Sequence, residues 1–79
     1  MELKNYYLKE FSLYDGEFDI TFNIIDVNSE KSTITVAISK AGKISVQEFD
    51  LRLDKDNNLY FFYGVDYEKV ILDNFEDFE

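Results

Sequence analysis

The run Phe18-Asp19-Ile20-Thr21-Phe22-Asn23-Ile24 alternates apolar and polar side chains without a break, and Thr33-Ile34-Thr35-Val36-Ala37-Ile38-Ser39 does so again. Successive side chains of a strand point to opposite faces, so each run reads as a strand with one face buried. Phe18, Ile20, Phe22 and Ile24 are expected to point inward. Asp15-Gly16 precedes the first run and fits the central positions of a type I′ turn, which makes Tyr6 to Tyr14 the other arm of a hairpin. Leu3, Tyr7, Phe11 and Tyr14 also fit a helical stripe, so that arm is the less constrained of the two.

Between the two runs lies the polar turn Asn28-Ser29-Glu30-Lys31. After the second, Lys40-Ala41-Gly42-Lys43 closes another hairpin. The next segment changes phase, with Ile44 and Val46 apolar at even positions and Phe49, Leu51 and Leu53 at odd ones. A period-2 strand needs an extra residue to do this, so a bulge or bend is expected near Gln47-Glu48, and a similar shift at Ile24-Ile25. Asp54-Lys55-Asp56-Asn57-Asn58 is a turn. Leu59-Tyr60-Phe61-Phe62-Tyr63 is a strand with large side chains on both faces, hence either central in a sheet or half of an interface. Beyond Gly64, the spacing of Tyr67, Val70, Ile71, Phe75 and Phe78 predicts a helix capped by Asp66, or a helical turn followed by an acidic tail. The β-branched Val70-Ile71 and the off-stripe Leu72 argue the other way.

These segments predict one small domain over residues 1–79 of α+β, β-rich class: a curled antiparallel meander of about five strands with a short C-terminal helix or acidic tail. The alternative is all-β. A domain of 79 residues buries only about 60% of its unfolded surface. With no Cys and no His, disulfide and metal reinforcement are closed, which leaves self-association open and a homodimer compatible.

The same composition narrows the chemistry. No histidine base or thiolate exists, and Ser12, Ser29, Ser32, Ser39 and Ser45 sit in strand or turn patterns without a nucleophile-elbow context, so no enzyme is expected. Glu17 with Asp19, and Glu48 with Asp50, would lie about 6.6 Å apart on one strand face, yet where solvated faces are expected. Asp54 to Asn58 begins like a calcium loop, but the glycine position holds Leu59 and the bidentate glutamate position holds Val65. It reads as a turn bonding its own backbone. Lys40-Ala41-Gly42-Lys43 lacks the glycines and following helix of a phosphate loop. No cofactor and no metal are expected.

The remaining signal is charge. The chain carries a net charge of −9, and residues 66–79 hold six acidic side chains against Lys69 alone. Such a field repels DNA, RNA and anionic membrane and attracts basic proteins. No segment approaches the ~18 apolar residues of a membrane span. Met1-Glu2-Leu3-Lys4-Asn5 lacks a signal-peptide pattern, which predicts a cytoplasmic protein. Carboxylates at every second residue of a strand, with a dense acidic tail, match the charge spacing of a nucleic-acid backbone. The expected role is therefore an acidic inhibitor occupying the basic, nucleic-acid-binding groove of a partner protein through Glu17, Asp19, Glu48, Asp50, Asp66, Glu68, Asp73, Glu76, Asp77 and Glu79. In size, acidity, hairpin content and lack of cysteine the chain is similar to the small inhibitors that mobile genetic elements encode against host defence, a likeness of composition. The rival expectation is a structural or assembly subunit that self-associates through an aromatic strand face bearing Tyr60 and Phe62.

Overall fold

A computed structural model describes residues 3–77, and Phe78 and Glu79 of the expected helix and acidic tail lie outside them. The described residues form eight strands: β1 (Lys9–Tyr14), β2 (Asp19–Asn28), β3 (Thr33–Lys40), β4 (Lys43–Asp50), β5 (Arg52–Leu53), β6 (Leu59–Tyr63), β7 (Glu68–Ile71) and β8 (Glu76–Asp77). Single 3-10 turns at Leu3–Tyr6 and Leu72–Asn74 are the only helical elements among them. The domain is thus all-β, and the expected C-terminal helix does not form. A helix on the Tyr67, Val70, Ile71, Phe75 stripe would have left Leu72 outside the core. Instead Tyr67 adopts φ +52° in a turn, β7 pairs with β6, and Val70, Leu72 and Phe75 are all buried.

The strands make two antiparallel sheets, of order β4-β3-β2-β1-β8 and β5-β6-β7. A single five-strand meander is therefore replaced by a longer, folded arrangement that is not closed, since β7 and β8 do not pair. The register of β2 on β3 shifts between Ile24 and Asp26, where the apolar phase changes. No shift interrupts β3 on β4, so the bulge expected at Gln47-Glu48 is absent. The phase change has another cause: β4 is an edge strand whose Ile44 and Val46 face solvent. The chain bends only after Phe49, where Leu51 donates its N–H to the Ser32 carbonyl at 2.8 Å and the next two residues pair with β6. At Leu51 the chain thus passes directly from β4 in the first sheet to β5 in the second, which folds the second over the first.

The core sits between them. Ile20, Phe22 and Ile24 of β2 and Ile34, Val36 and Ile38 of β3 meet Phe61, Val70, Leu72 and Phe75, as the alternating runs require. Phe61 stacks on Phe49 at 4.5 Å between centroids and meets Phe22 edge-on at 6.2 Å. Phe18 departs from the expectation. The β1–β2 connection is longer than the two-residue turn, running through Asp15, Gly16, Glu17 and Phe18 between the paired Tyr14 and Asp19. Asp15 accepts the N–H groups of Glu17 and Phe18, and Gly16 takes φ +100°. Phe18 therefore lies at the surface, with the Lys40 ammonium 5.9 Å from its ring centroid.

The β3–β4 hairpin is the two-residue kind. Ala41 and Gly42 have φ +54° and +76°, the paired left-handed geometry of a type I′ turn, which asparagine tolerates far better than alanine. Ala41→Asn is expected to raise stability by about 0.5–1 kcal/mol, measured as a shift in urea midpoint at unchanged slope.

Candidate functional site

The register of the five-stranded sheet fixes which side chains share its outer face. One row across it runs Glu76, Glu10, Asn23, Ala37, Val46. A second is Asp26, Thr35, Glu48, and a third Asn28, Thr33, Asp50. Beyond Ser12, Thr21, Ser39 and Ile44 lie Tyr14 and Asp19. The face therefore carries Glu10, Asp19, Asp26, Glu48, Asp50 and Glu76, and none of the residues in these rows is Lys or Arg. Strands stand about 4.8 Å apart, so Asp26 and Glu48 flank Thr35 about 10 Å from each other. The Thr33 hydroxyl donates to Glu48 Oε2 at 3.3 Å and steadies that carboxylate.

Glu10 and Glu76 are directly opposed, an arrangement that weakens a strand pair.

Of the candidate residues that are described, the structure brings Asp19, Glu48, Asp50 and Glu76 onto this face and places Glu17, Asp66, Glu68, Asp73 and Asp77 elsewhere. Glu17 is in the β1–β2 loop, so it does not share a strand with Asp19. Asp66 and Glu68 rim a cleft of about 510 Å³ between the sheets, floored by Leu13, Ile20 and Tyr63. Asp73 accepts a 2.6 Å hydrogen bond from the Tyr6 hydroxyl, and burial together with that carboxylate pushes the Tyr6 phenol up to about 12. Asp77 pairs with Lys9 at 3.9 Å. Glu79 lies outside the described residues. Glu10 and Asp26 belong to the face and were missed. Glu10 could have been found from the Glu10-Phe11-Ser12-Leu13 alternation, whereas the position of Asp26 depends on the bulge before it.

The outer face of the second sheet is different. Arg52, Tyr60, Phe62, Lys69 and Ile71 share it by register. Tyr60 and Phe62 meet edge-on at 5.3 Å, Phe62 meets Tyr67 at 6.0 Å, and the Lys69 ammonium lies 4.6 Å from the Tyr60 centroid. β6 is central in its sheet, which accounts for side chains on both of its faces. The molecule thus shows an acidic face on one side and an aromatic face bearing two cations on the other.

Two carboxylates are held down to about 2. For Asp15 the Phe18 and Glu17 amides and Lys40 are responsible, and for Asp54 the Asn58 amide, Lys69 at 3.0 Å and the Asp56 amide. Such groups remain ionised and are not tuned for proton transfer near neutrality. Asp54 thereby organises its own turn, with Asn57 at φ +63°. Because both values are lowered on folding, their stabilisation is complete above about pH 4 and is lost as pH falls toward 2. Asp15→Asn and Asp54→Asn are expected to lose less thermal midpoint than the parent across that window, scanned by circular dichroism.

Among the described residues no group of three or more side chains is arranged to hold a metal ion, and no helix is long and apolar enough to cross a membrane. No family model, curated protein or solved structure matches the chain.

Proposed function

We propose that the protein is a non-enzymatic binding module of the cytoplasm whose acidic sheet face occupies the basic, nucleic-acid-binding groove of a partner protein and so inhibits it. The observation that carries this is the outer face of the five-stranded sheet, where Glu10, Asp19, Asp26, Glu48, Asp50 and Glu76 stand in register with no cation among them. Charges fixed on paired strands are preorganised, so little ordering entropy opposes their docking on a groove that normally receives phosphates. The test is a pull-down of the tagged protein from source-cell lysate, eluted with rising salt and, separately, with duplex DNA. Capture of a basic protein that duplex DNA displaces supports the proposal. Capture that DNA leaves untouched sinks it.

A second reading, an assembly subunit docking through its aromatic face, rests on Tyr60 and Phe62, with Phe62 and Tyr67 exposed at the surface. Its contacts would resist salt.

A further inference from the structure

Register also fixes what faces inward at the end of the two sheets where the β1–β2 connection lies. Leu13 is opposite Ile20, and Ile20 is opposite Lys40, so these three side chains share the inner face of the first sheet. In the second sheet Tyr63 is opposite Glu68, two residues along from the buried pair Phe61 and Val70, so Tyr63 and Glu68 face inward with them. Between the two sets lies the cleft of about 510 Å³, the size of a small-molecule site, typically about 300–1,000 Å³. Lys40 and Glu68 thus hold inward positions next to those of Ile38 and Val70, which are buried in the core.

These two charges do not neutralise each other. Lys40 bonds Asp15 at 3.1 Å, whereas the side chains of Asp66 and Glu68 make no ion pair or hydrogen bond among the described residues. Three carboxylates and one ammonium line the cleft, and the excess negative charge belongs to the β6–β7 hairpin. The floor is apolar and fixed by the core. Ile20 is 1% exposed, Leu13 is half-buried beside it, and the Tyr63 ring stands edge-on to Phe22 at 4.9 Å. A hollow with an apolar floor and an unmatched negative wall selects the charge of what enters it as well as the shape.

We propose that this cleft binds a small organic cation, a primary ammonium carried on an apolar body. The body lies against Leu13, Ile20 and Tyr63, and the ammonium is held by Asp66 and Glu68. Neither half suffices alone, since an anion meets the negative wall and a bare ammonium leaves the floor wet. The site lies between the sheets, apart from the outer acidic face, and its ligand is independent of any protein partner.

The test is titration with phenethylamine, followed by backbone amide and methyl chemical shifts. Saturable shifts are expected at Leu13, Ile20 and Gly64, with none at Glu10 or Val46 of the outer face. Methylamine, which has the charge without the body, is expected to bind at least about 10-fold more weakly. Hydrocinnamate, a similar body with the opposite charge, is expected to leave the cleft unshifted. Glu68→Gln is expected to weaken the amine about 5-fold, whereas Glu76→Gln removes the same charge from the outer face and is expected to leave affinity unchanged. Both side chains are exposed, so each variant keeps the fold. No saturation at millimolar phenethylamine, equal binding of methylamine or hydrocinnamate, an affinity indifferent to Glu68→Gln, or an equal loss in Glu76→Gln overturns the proposal.

Discussion

Phe61→Ala is expected to leave much of the protein unfolded at 37 °C. The side chain is fully buried and lies where the second sheet folds onto the first, against Phe49, Phe22 and Phe75. Truncating a buried phenylalanine costs about 3–5 kcal/mol, because the lost transfer energy is joined by a cavity that the surroundings only partly fill. A domain of 79 residues has about 4–12 kcal/mol in total. The loss therefore takes about a quarter of the stability at the least and all of it at the most. Phe61→Leu keeps most of the volume and is expected to cost about 1–1.5 kcal/mol. Phe62→Ala, next along the strand but 41% exposed, is expected to cost under about 1 kcal/mol. Urea denaturation followed by far-ultraviolet circular dichroism checks all three. A Phe61→Ala variant within about 1 kcal/mol of the parent would mean that the second sheet does not depend on this contact.

Asp26→Lys with Glu76→Lys is expected to weaken binding to a DNA-displaceable partner by at least about 100-fold near 0.1 M salt, the gap narrowing as salt rises. Placing like charges across an interface costs several kcal/mol, and about 2.7 kcal/mol already corresponds to 100-fold. The fold is not expected to suffer. Both side chains are exposed, and a lysine at position 76 would oppose Glu10 across β1 and β8 with an opposite charge. Glu17→Lys with Asp66→Lys is the control. Each pair changes the net charge by the same amount, −9 + 4 = −5, but the second pair lies off the outer face. Equal loss in both pairs would point to net charge alone, and loss confined to the first pair to the face. Titration with the captured partner, read by calorimetry at two salt concentrations, separates these outcomes.

What could be read from residue order alone was set by how local the controlling interaction is. The alternations at Phe18–Ile24 and Thr33–Ser39 are imposed by a buried face, and they returned as β2 and β3 with Ile20, Phe22, Ile34 and Val36 in the core. The Asp54 turn was legible because its side chain bonds its own backbone. The bulge after Ile24 showed as a change of phase. The same sign misled in β4, where apolar Ile44 and Val46 face outward at an edge, since periodicity reports a stripe and not the side on which the core lies. The helical spacing after Gly64 was overridden by pairing of β7 with β6, a contact no local pattern reveals. The acidic face was only half legible for a related reason. Charge density drew attention to the C-terminal stretch, whereas face membership follows register, and register placed Glu10 and Asp26 on the face and Asp77 on the other side.

The pairing of Lys9 with Asp77 and Glu10 with Glu76 bears on the order in which the molecule assembles. β1 to β4 are joined by hairpins whose partners are neighbours along the chain, and such contacts close with little loss of chain entropy. The β1–β8 seam unites residues from opposite ends of the sequence, rests on two residue pairs, and holds two carboxylates against each other. It is therefore expected to form late and to open early, as hydrogen exchange at the Glu76 and Asp77 amides would show. Five of the six outer-face carboxylates belong to β1, β2 and β4, so the acidic face is nearly complete before the seam closes and survives when the seam breathes.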